Sequence, residues 1–377
     1  MFKYLKLAAL ALCVSVGLTA CDDEENSAPL NPPTEVKGLV SPMFVVTQGN
    51  QFAGIAGGID YIPGMNDSLT VNLDYFNTVN QQSLGDTPEH AVKYGSRIYV
   101  PMNGSNLLWV LDAQTLKVIK KVQTSSTVGA WDVCGSNGYV YLINYGPEGY
   151  VTRMDTTNYE LQGSVHVGAY PYDMVAANGK IYVAMSGDFE QNYADGKKVV
   201  IIDEATFQHN GEIAVGLNPS QIMANKIGEL FVMCQGDYAT VQPKVQKVSR
   251  TGEVTDFCTG GICAMDGNDL YVLHFTSDYQ NDVATIDSLE RIHTIDKSAV
   301  NVPLENAQKV GLPSALNINP ANGHIVIGSS ASPLAFSERG FISEFKKDGK
   351  AVARVALRRS VQVMPPAARY RTGSYLL

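Results

Sequence analysis

The stretch YGSRIYVPMNGSNLLWVLDAQT, residues 94–115, contains the unit from which most of the chain is built. It has a Gly turn, an alternating β-rich strand, a polar loop, a second strand and a turn that begins with Asp. Strands of Val, Ile, Tyr and Leu between Gly or Asn turns are typical of antiparallel hairpins. The stretch therefore predicts one hairpin inside a larger antiparallel sheet.

The same pattern returns along the chain, at 136–157, 178–206, 227–252, 267–298 and 322–349. An aromatic residue recurs at one equivalent position of the second strand: Tyr99, Tyr141, Tyr182, Phe231 and Tyr271. A repeat of roughly 40–50 residues with several strands per unit is the signature of a β-propeller. Because no segment carries a sustained 3.6-residue period, the sequence excludes a coiled coil or a helical solenoid.

The repeats predict an all-β fold, a seven-bladed β-propeller of four-stranded antiparallel blades. Six blades are expected near 87–122, 129–168, 169–216, 217–257, 258–312 and 313–357. The segments 43–50, 57–64 and 68–76 match the second, third and outer strands of one more blade. Because an unpaired blade edge leaves backbone groups unsatisfied, we expect the chain after Arg358 to return as the missing inner strand.

The C-terminal segment RRSVQVMPPAARYRTGSYLL, residues 358–377, differs from every other inner strand. It is Arg-rich, has no acid and contains Pro365 and Pro366, although SVQVM could form a short strand. Either the ring closes imperfectly, or this tail is peculiar to this protein. The sequence leaves both alternatives open.

The first 20 residues have the layout of a signal peptide. Lys3 and Lys6 precede an apolar run that is too short to span a bilayer. The motif Leu18-Thr19-Ala20-Cys21 resembles the lipobox of bacterial lipoproteins, which implies acylation of Cys21. An ordinary secretory signal that contains a cysteine is the alternative. We expect a signal peptide at 1–20, an acidic, Pro-containing tether at 21–39 and the propeller at 40–377.

Four acids follow Cys21, at positions 22–25. They resemble the export signal of Bacteroidetes surface lipoproteins, although a solvated linker has the same composition. The implied location is the outer membrane at the cell surface, with attachment through the lipid alone. The formal net charge of −9 and the lack of a dense Lys/Arg cluster argue against a nucleic-acid partner.

No motif in the sequence points to a metal centre or to a catalytic nucleophile. There is no CxxCH, HExxH or GxSxG pattern, so we expect no enzyme activity and no cofactor. Cys134 and Cys234 lie in apolar stretches that are typical of buried thiols. Cys258 and Cys263, in CTGGIC, are close enough in sequence for a loop disulfide in an oxidising compartment.

Several short sequence stretches resemble those of the YVTN/YncE-like propeller lipoproteins of Bacteroidetes. They are VVTQGN at 45–50, LGDTP at 84–88, IYV at 98–100 and VLDAQT at 110–115, and the resemblance covers about residues 40–357. That group includes BtuG-type surface proteins, which capture cobalamin above a TonB-dependent transporter. The resemblance implies surface binding, with a corrinoid as one ligand to test.

In a propeller, the loops between the second and third strands gather on one face. Here they are predicted at 103–106, 144–149, 186–196, 235–243 and 274–282, and they are rich in polar and aromatic residues. Rings and amide or carboxylate groups together suit a large polar ligand or a partner surface. The candidate rim residues are Tyr145, Phe189, Tyr193, Tyr238, Phe275 and Tyr279. The alternative is that Asn, Gly, Asp and Tyr simply form turns here.

The entrances of the inner strands form a second layer at the channel mouth. The repeat places Trp131 with Asp132, Tyr172 with Asp173, and Ser220 with Gln221 at equivalent positions, together with Glu89 and His90. Trp131 and Tyr172 could stack on a ligand beside their acids, and His90 could bind a metal. They could equally plug the channel and satisfy neighbouring backbone N–H groups. The ligand-site candidates in this layer are His90, Trp131, Asp132, Tyr172, Asp173 and Gln221.

The sequence therefore favours a surface-anchored protein that binds a small-molecule nutrient and passes it to a TonB-dependent transporter. A corrinoid is the specific ligand predicted. A propeller enzyme of the lactonase or lyase type is the first alternative, and a platform for protein interaction or adhesion is the second. Fold alone does not choose among them.

Overall fold

The computed structural model describes residues 42–49, 54–64, 71–124, 129–335, 338–359 and 375–376. The predicted signal peptide and the whole predicted tether, including Cys21, lie outside the described residues. Within the described ranges, no helix is long and apolar enough to cross a membrane.

The described chain begins with two antiparallel strands, β1 (Met43–Thr47) and β2 (Gly58–Ile62), followed by helix α1 (Tyr75–Asn80). Three four-stranded antiparallel sheets follow, called blades 1 to 3. Their strands are β3 (Val92–Tyr94), β4 (Arg97–Met102), β5 (Leu107–Asp112) and β6 (Val118–Gln123); β7 (Gly129–Ser136), β8 (Tyr139–Tyr145), β9 (Gly149–Asp155) and β10 (Leu161–Gly168); and β11 (Pro171–Ala177), β12 (Lys180–Met185), β13 (Lys198–Asp203) and β14 (Gln208–Ala214).

Three more sheets of the same form make up blades 4 to 6. Their strands are β15 (Pro219–Ala224), β16 (Leu230–Cys234), β17 (Lys244–Val248) and β18 (Val254–Thr259); β19 (Ile262–Asp266), β20 (Asp269–Asp278), β21 (Val283–His293) and β22 (Ala299–Asn301); and β23 (Leu312–Ile318), β24 (Ile325–Ser330), β25 (Arg339–Phe345) and β26 (Ala351–Arg359). In every blade, hydrogen-bonded neighbours follow one another in the chain. The predicted all-β propeller of four-stranded antiparallel blades is confirmed in this respect.

The first strands of neighbouring blades contact one another, so they line the centre of the ring. The core lies between adjacent sheets, where apolar side chains of the second and third strands meet. Between blades 1 and 2, for example, Tyr99 and Val110 pack with Val133 and Leu142. The recurring aromatic residue of the repeat is buried in each of the five copies that carry it. The repeat position of this aromatic residue therefore marks the contact between neighbouring blades.

The predicted count of seven four-stranded blades is wrong, because six sheets have that form. The N-terminal strands instead belong to a three-stranded sheet in the order β2, β1, β27, where β27 is Tyr375–Leu376. The predicted return of the C-terminal chain is confirmed at these two residues, since β27 pairs with β1 and contacts the first strand of blade 6. The predicted short strand SVQVM, 360–364, lies outside the described residues.

The strand predicted at 68–76 is also wrong. Asn72 forms only an isolated bridge to Tyr61, and helix α1 starts at Tyr75. The helix forms because it buries Phe76 against Trp109, with ring centroids 5.4 Å apart. Asn80 fixes its end, since its side chain donates to Leu116 O and accepts from Val118 N, at 3.0 and 2.9 Å. A helix here covers blade 1 in place of an outer strand.

Candidate functional site

The loops between second and third strands form one face, here called the rim. They join β4 to β5, β8 to β9, β12 to β13 and β16 to β17, as predicted for blades 1 to 4. Backbone hydrogen bonds link the rim elements of neighbouring blades: Tyr170 N donates to Gly146 O at 2.8 Å, and Asn218 N donates to Gly196 O at 2.6 Å. The rim of blades 2 to 4 is therefore one continuous surface.

Three predicted rim aromatics come together across blades 3 and 4. The ring of Tyr193 lies 6.3 Å from that of Phe189 and 6.3 Å from that of Tyr238. Tyr193 is 3% exposed, whereas Phe189 and Tyr238 are 44% and 47% exposed. We call these three residues the rim patch. A buried central ring flanked by two exposed rings gives a firm apolar surface for a ligand.

A second aromatic group, the mouth stack, lies where blades 2 and 3 meet. Trp131 stacks on Tyr145 with ring centroids 4.2 Å apart and an interplanar angle of 22°, and it lies 5.2 Å from Tyr172. Tyr170 joins the group 5.3 Å from Tyr145. Trp131 is only 1% exposed, so the structure covers the indole that the sequence offered to a ligand. Tyr145, Tyr170 and Tyr172 remain partly exposed.

Phe275 and Tyr279 do not join these groups. Blade 5 has a longer hairpin than predicted, because β20 continues to Asp278 and pairs Phe275 with Ile286. Phe275 is thus a strand residue, and Tyr279 lies in the short turn that follows. Among the described residues, neither ring contacts another aromatic ring.

The loop of blade 3 is held by short-range hydrogen bonds. Asp188 Oδ1 accepts the N–H of Glu190 at 2.9 Å, and its carbonyl accepts the N–H of Tyr193 at 2.7 Å. Asp195 Oδ1 accepts the N–H of Asp188 at 3.1 Å. A Cβ at Gly196 would lie 1.8 Å from the Ser186 carbonyl oxygen, so only glycine allows this approach. The loop therefore presents Phe189 and Tyr193 in fixed positions.

In the loop of blade 4, Asp237 has the corresponding role. Its Oδ1 accepts the N–H groups of Ala239, Thr240 and Val241 at 3.0, 2.7 and 2.7 Å, and Oδ2 accepts the Thr240 hydroxyl at 2.6 Å. The hydroxyl bond and these backbone bonds hold the pKa of Asp237 well below its usual range. Four bonds to one carboxylate fix the turn that presents Tyr238.

Three tyrosines of this region adopt left-handed backbone conformations. The φ angles of Tyr170, Tyr193 and Tyr238 are 55°, 58° and 60°. For a bulky side chain this conformation costs of order 1–3 kcal/mol and persists only where the surroundings impose it. The same conformation occurs at Leu116, Tyr159 and Phe207, in turns between third and fourth strands, so it does not by itself distinguish the rim.

The polar residues at the inner-strand entrances tie each blade to the next. Asp132 Oδ2 accepts Met174 N–H at 3.0 Å, and Asp173 Oδ2 accepts Ile222 N–H at 2.9 Å. Gln221 accepts the N–H of Cys263 at 3.0 Å and donates to its carbonyl at 3.3 Å. For these three residues the structure favours the structural alternative, in which they satisfy backbone groups.

At the inner-strand entrance of blade 1, the hydrogen-bond partners are side chains instead of backbone groups. His90 Nδ1 contacts Asp132 Oδ1, and Gln48 Nε2 donates to Glu89 Oε2 at 2.9 Å. In the ranges that the structure describes, no group of three or more His, Cys, Asp or Glu residues could hold a metal ion. His90 therefore lies in the contact between blades and has no described set of fellow ligands.

The four cysteines of the propeller are free thiols in this structure. Cys234 and Cys263 are buried, and Cys134 and Cys258 are partly buried. Burial raises the pKa of Cys234 and of Cys258 to about 12. Thiols with such pKa values are weak nucleophiles at neutral pH.

Sequence reasoning missed three contributors to this region. Tyr170, in the connection between blades 2 and 3, was absent from the candidates although it lies two residues before Tyr172. Asp237 was not among the candidates, although Asp followed by Thr three residues later often marks a turn in which the Asp side chain accepts backbone hydrogen bonds. Gln48 follows β1 directly, and its contact with Glu89 joins the N-terminal sheet to the start of blade 1, 41 residues further along the chain.

Residues 43–332 match the family model described as a domain of unknown function, DUF5074. The chain belongs to the DUF5074 family. No match to a functionally curated protein was found. The fold of this DUF5074 chain is shared with several solved structures of low identity.

A hydrazine synthase of Kuenenia stuttgartiensis is 17% identical, with a TM-score of 0.57 over 72% of this chain and 86% of that one. A quinoprotein alcohol dehydrogenase-like protein of Bacteroides thetaiotaomicron is 13% identical, with a TM-score of 0.58 over 84% and 75%. The WD40 domain of Neurospora crassa Pan2 is 10% identical, with a TM-score of 0.50 over 68% and 75%. At these identities the similarity establishes a β-propeller fold and nothing about activity.

Proposed function

We propose that this propeller is a non-catalytic binding protein that captures a large polar nutrient on the rim. The observation that carries the proposal is the rim patch, in which two exposed rings flank the buried ring of Tyr193. Hydrogen bonds that the carboxylates of Asp188 and Asp237 accept from loop N–H groups hold these rings in place before any ligand arrives. Preorganisation of this kind lowers the ordering cost of binding.

The ligand we propose is a corrinoid. A corrin ring offers a broad flat surface for stacking, and its amide side chains need hydrogen-bonding partners. The rim supplies both, because the exposed Phe189 and Tyr238 lie among the carboxylates and amides of 186–196 and 235–243. Aromatic surface with a few polar groups is the usual composition of a small-molecule site.

Calorimetric titration of the purified protein with cyanocobalamin tests this proposal. The double variant Tyr193→Ala and Tyr238→Ala should weaken binding at least about tenfold, since it removes one exposed ring and the buried ring that supports Phe189. Ile295→Ala is the control, because Ile295 is 49% exposed and lies in the turn between the third and fourth strands of blade 5, away from the rim.

Two results would separate the parts of this proposal. If the unmodified protein binds no corrinoid, the ligand is wrong. If the protein binds a corrinoid and the double variant binds it equally well, the site is wrong. Turnover of a lactone by the purified protein would overturn the non-catalytic assignment.

We also propose that the protein is anchored by lipid at Cys21 on the cell surface and passes its ligand to a TonB-dependent transporter. The lipobox and the acids at 22–25 support this location. Labelled fatty acid should be incorporated into the native protein and not into Cys21→Ala. Affinity purification from outer membranes should recover a TonB-dependent transporter, and recovery of a host glycoprotein instead would favour adhesion.

A further inference from the structure

Two neighbouring cavities lie at the end of the seam between blades 3 and 4 that is remote from the rim. Their volumes are about 500 and 620 Å³, and Gly228 and Arg250 line both. They are bordered by the turns that join β11 to β12, β15 to β16 and β17 to β18. These turns are at the opposite strand ends from the rim loops. We call the two cavities together the seam groove.

The floor of the seam groove is apolar in part and otherwise polar. The first cavity is lined by side chains from both blades, among them Ile201, Ile213, Leu230 and Val254. Ile201, Ile213 and Val254 are only partly buried, so part of this apolar surface faces the cavity. A volume of several hundred Å³ falls in the usual range for small-molecule sites, and the apolar part of the floor can contact a nonpolar group.

The charged groups of the groove are mainly positive. Lys180, Lys226 and Arg250 line it and form no ion pair within 4 Å among the described residues, although Lys180 lies opposite Asp203 on the neighbouring strand. The one lining acid, Glu212, is paired with Lys198 at 2.8 Å. This excess of cations is notable in a chain with a net charge of −9.

A close approach between the blades fixes the width of the groove. Asn178 Nδ2 donates to the Gly228 carbonyl at 2.8 Å. Gly228 has φ +81°, and a Cβ there would lie 2.3 Å from Asn178 Oδ1. Glycine is therefore required at this point, and the two cavities keep a defined spacing.

We propose that the seam groove binds a small amphipathic anion, with its apolar body on the floor and its phosphate, sulfonate or carboxylate head at Arg250 and Lys180. Arginine offers paired N–H donors to such oxyanions, and lysine adds charge. The seam groove is separate from the rim, so this proposal does not depend on the function proposed above.

Calorimetry of the full-length protein with 1-naphthyl phosphate tests the proposal, with 1-naphthol as the uncharged probe. We expect saturable binding of the phosphate ester and about tenfold weaker binding of naphthol. The double variant Arg250→Gln and Lys180→Gln should lose about tenfold in affinity for the ester and little for naphthol. Lys117→Gln, an exposed lysine of blade 1, is the matched control and should bind as the unmodified protein does.

The rim double variant Tyr193→Ala and Tyr238→Ala should bind naphthyl phosphate normally, which distinguishes the two sites. Raised ionic strength should weaken binding of the ester in the unmodified protein, a readout that requires no variant. The proposal is overturned if naphthyl phosphate does not bind saturably, if naphthol binds equally well, or if the charge variant keeps full affinity.

Discussion

The carboxylate of Asp173, on the first strand of blade 3, accepts the backbone N–H of Ile222 on the first strand of blade 4, at 2.9 Å. Its other oxygen accepts the N–H of Met174, also at 2.9 Å. Asp173 is 7% exposed, so water does not readily replace either bond. One buried side chain therefore satisfies two backbone donors and joins two blades.

Asp173→Ala should lower the free energy of unfolding by about 1–3 kcal/mol, because it removes the acceptor of the Ile222 N–H, whereas the Met174 N–H keeps its bond to Asp132 Oδ2. Asp173→Asn keeps one acceptor oxygen and should cost less. Urea denaturation measures both changes. Glu253→Ala, at an exposed turn residue, is the control and should change stability by less than about 0.5 kcal/mol. Equal losses for Asp173→Ala and the control would contradict the role of Asp173.

Arg153 packs between two aromatic rings at the contact of blades 2 and 3. Its guanidinium carbon lies 4.6 Å from the Tyr139 ring centroid and 4.7 Å from the Phe207 ring centroid. Its buried Nε has no hydrogen-bond partner in the described structure. Arg153→Met keeps the packing and removes this polar group, so it should change stability by about 1 kcal/mol or less.

Arg153→Ala, in contrast, removes both the packing and the cation–π contact and should cost about 1–3 kcal/mol. Thermal unfolding of the two variants at equal protein concentration gives the comparison. If Arg153→Met lowers stability as much as Arg153→Ala does, the positive charge of Arg153 contributes more than the packing of its methylene groups. That result would contradict the packing account.

Carboxylates in the turns between third and fourth strands accept hydrogen bonds that acid would remove, and Asp296 is the one in blade 5. In blade 5, hydrogen bonds from Ser298 and a smaller contribution from His293 lower the pKa of Asp296 to about 2. A carboxyl whose pKa is lowered by folding stabilises the protein above its ordinary pKa of 3.8. That stabilisation is lost as the pH falls from about 4 towards 2.

Asp296→Asn should therefore lower the melting temperature at neutral pH and reduce its further fall between pH 5 and pH 2. Calorimetric scans across this range measure both effects against the unmodified protein. Glu253→Gln is the control, since that side chain accepts no hydrogen bond in the described structure. A fall that is identical in all three proteins would show that Asp296 adds nothing to acid sensitivity.

Asp237 positions the rim loop of blade 4, and its removal should affect binding more than global stability. Asp237→Ala frees the N–H groups of Ala239, Thr240 and Val241. The amide of Val241 should then exchange with solvent faster, which hydrogen-exchange mass spectrometry detects with no ligand present. The affinity for a rim ligand should fall several-fold, because the loop that carries Tyr238 must be ordered on binding.

Faster amide exchange with unchanged affinity would support the role of Asp237 in ordering the loop and would contradict the placement of the ligand on the rim patch. Unchanged exchange would contradict the loop account itself. The two measurements thus separate the structural claim from the functional one.

Much of the ring could be predicted because each blade is a local, repeated unit. The predicted blade at 129–168 coincides with β7–β10, and the recurring aromatic marks a buried position in the second strand. The strand predicted at 68–76 was wrong because the alternation of polar and apolar residues there fits a strand, whereas the contact of Phe76 with Trp109 favours a helix. That contact joins residues 33 positions apart, and no local pattern reveals it.

The candidate site was predicted only in outline for the same reason. Loop composition located Phe189, Tyr193 and Tyr238, but the repeat could not tell that Trp131 would be covered by Tyr145. It also placed Asp132 and Asp173 at the channel mouth without showing that their oxygens are occupied by backbone N–H groups.

The sequence by itself determined a propeller of four-stranded blades, because turn residues and strand alternation act over a few neighbouring positions. The tertiary structure decided the number of complete blades, the helix over blade 1, the free cysteine thiols and the grouping of rings at the rim. These depend on contacts between side chains of different elements, such as Phe76 with Trp109, or on how the ring closes. The packing of one sheet on the next therefore determines which side chains remain available to a ligand.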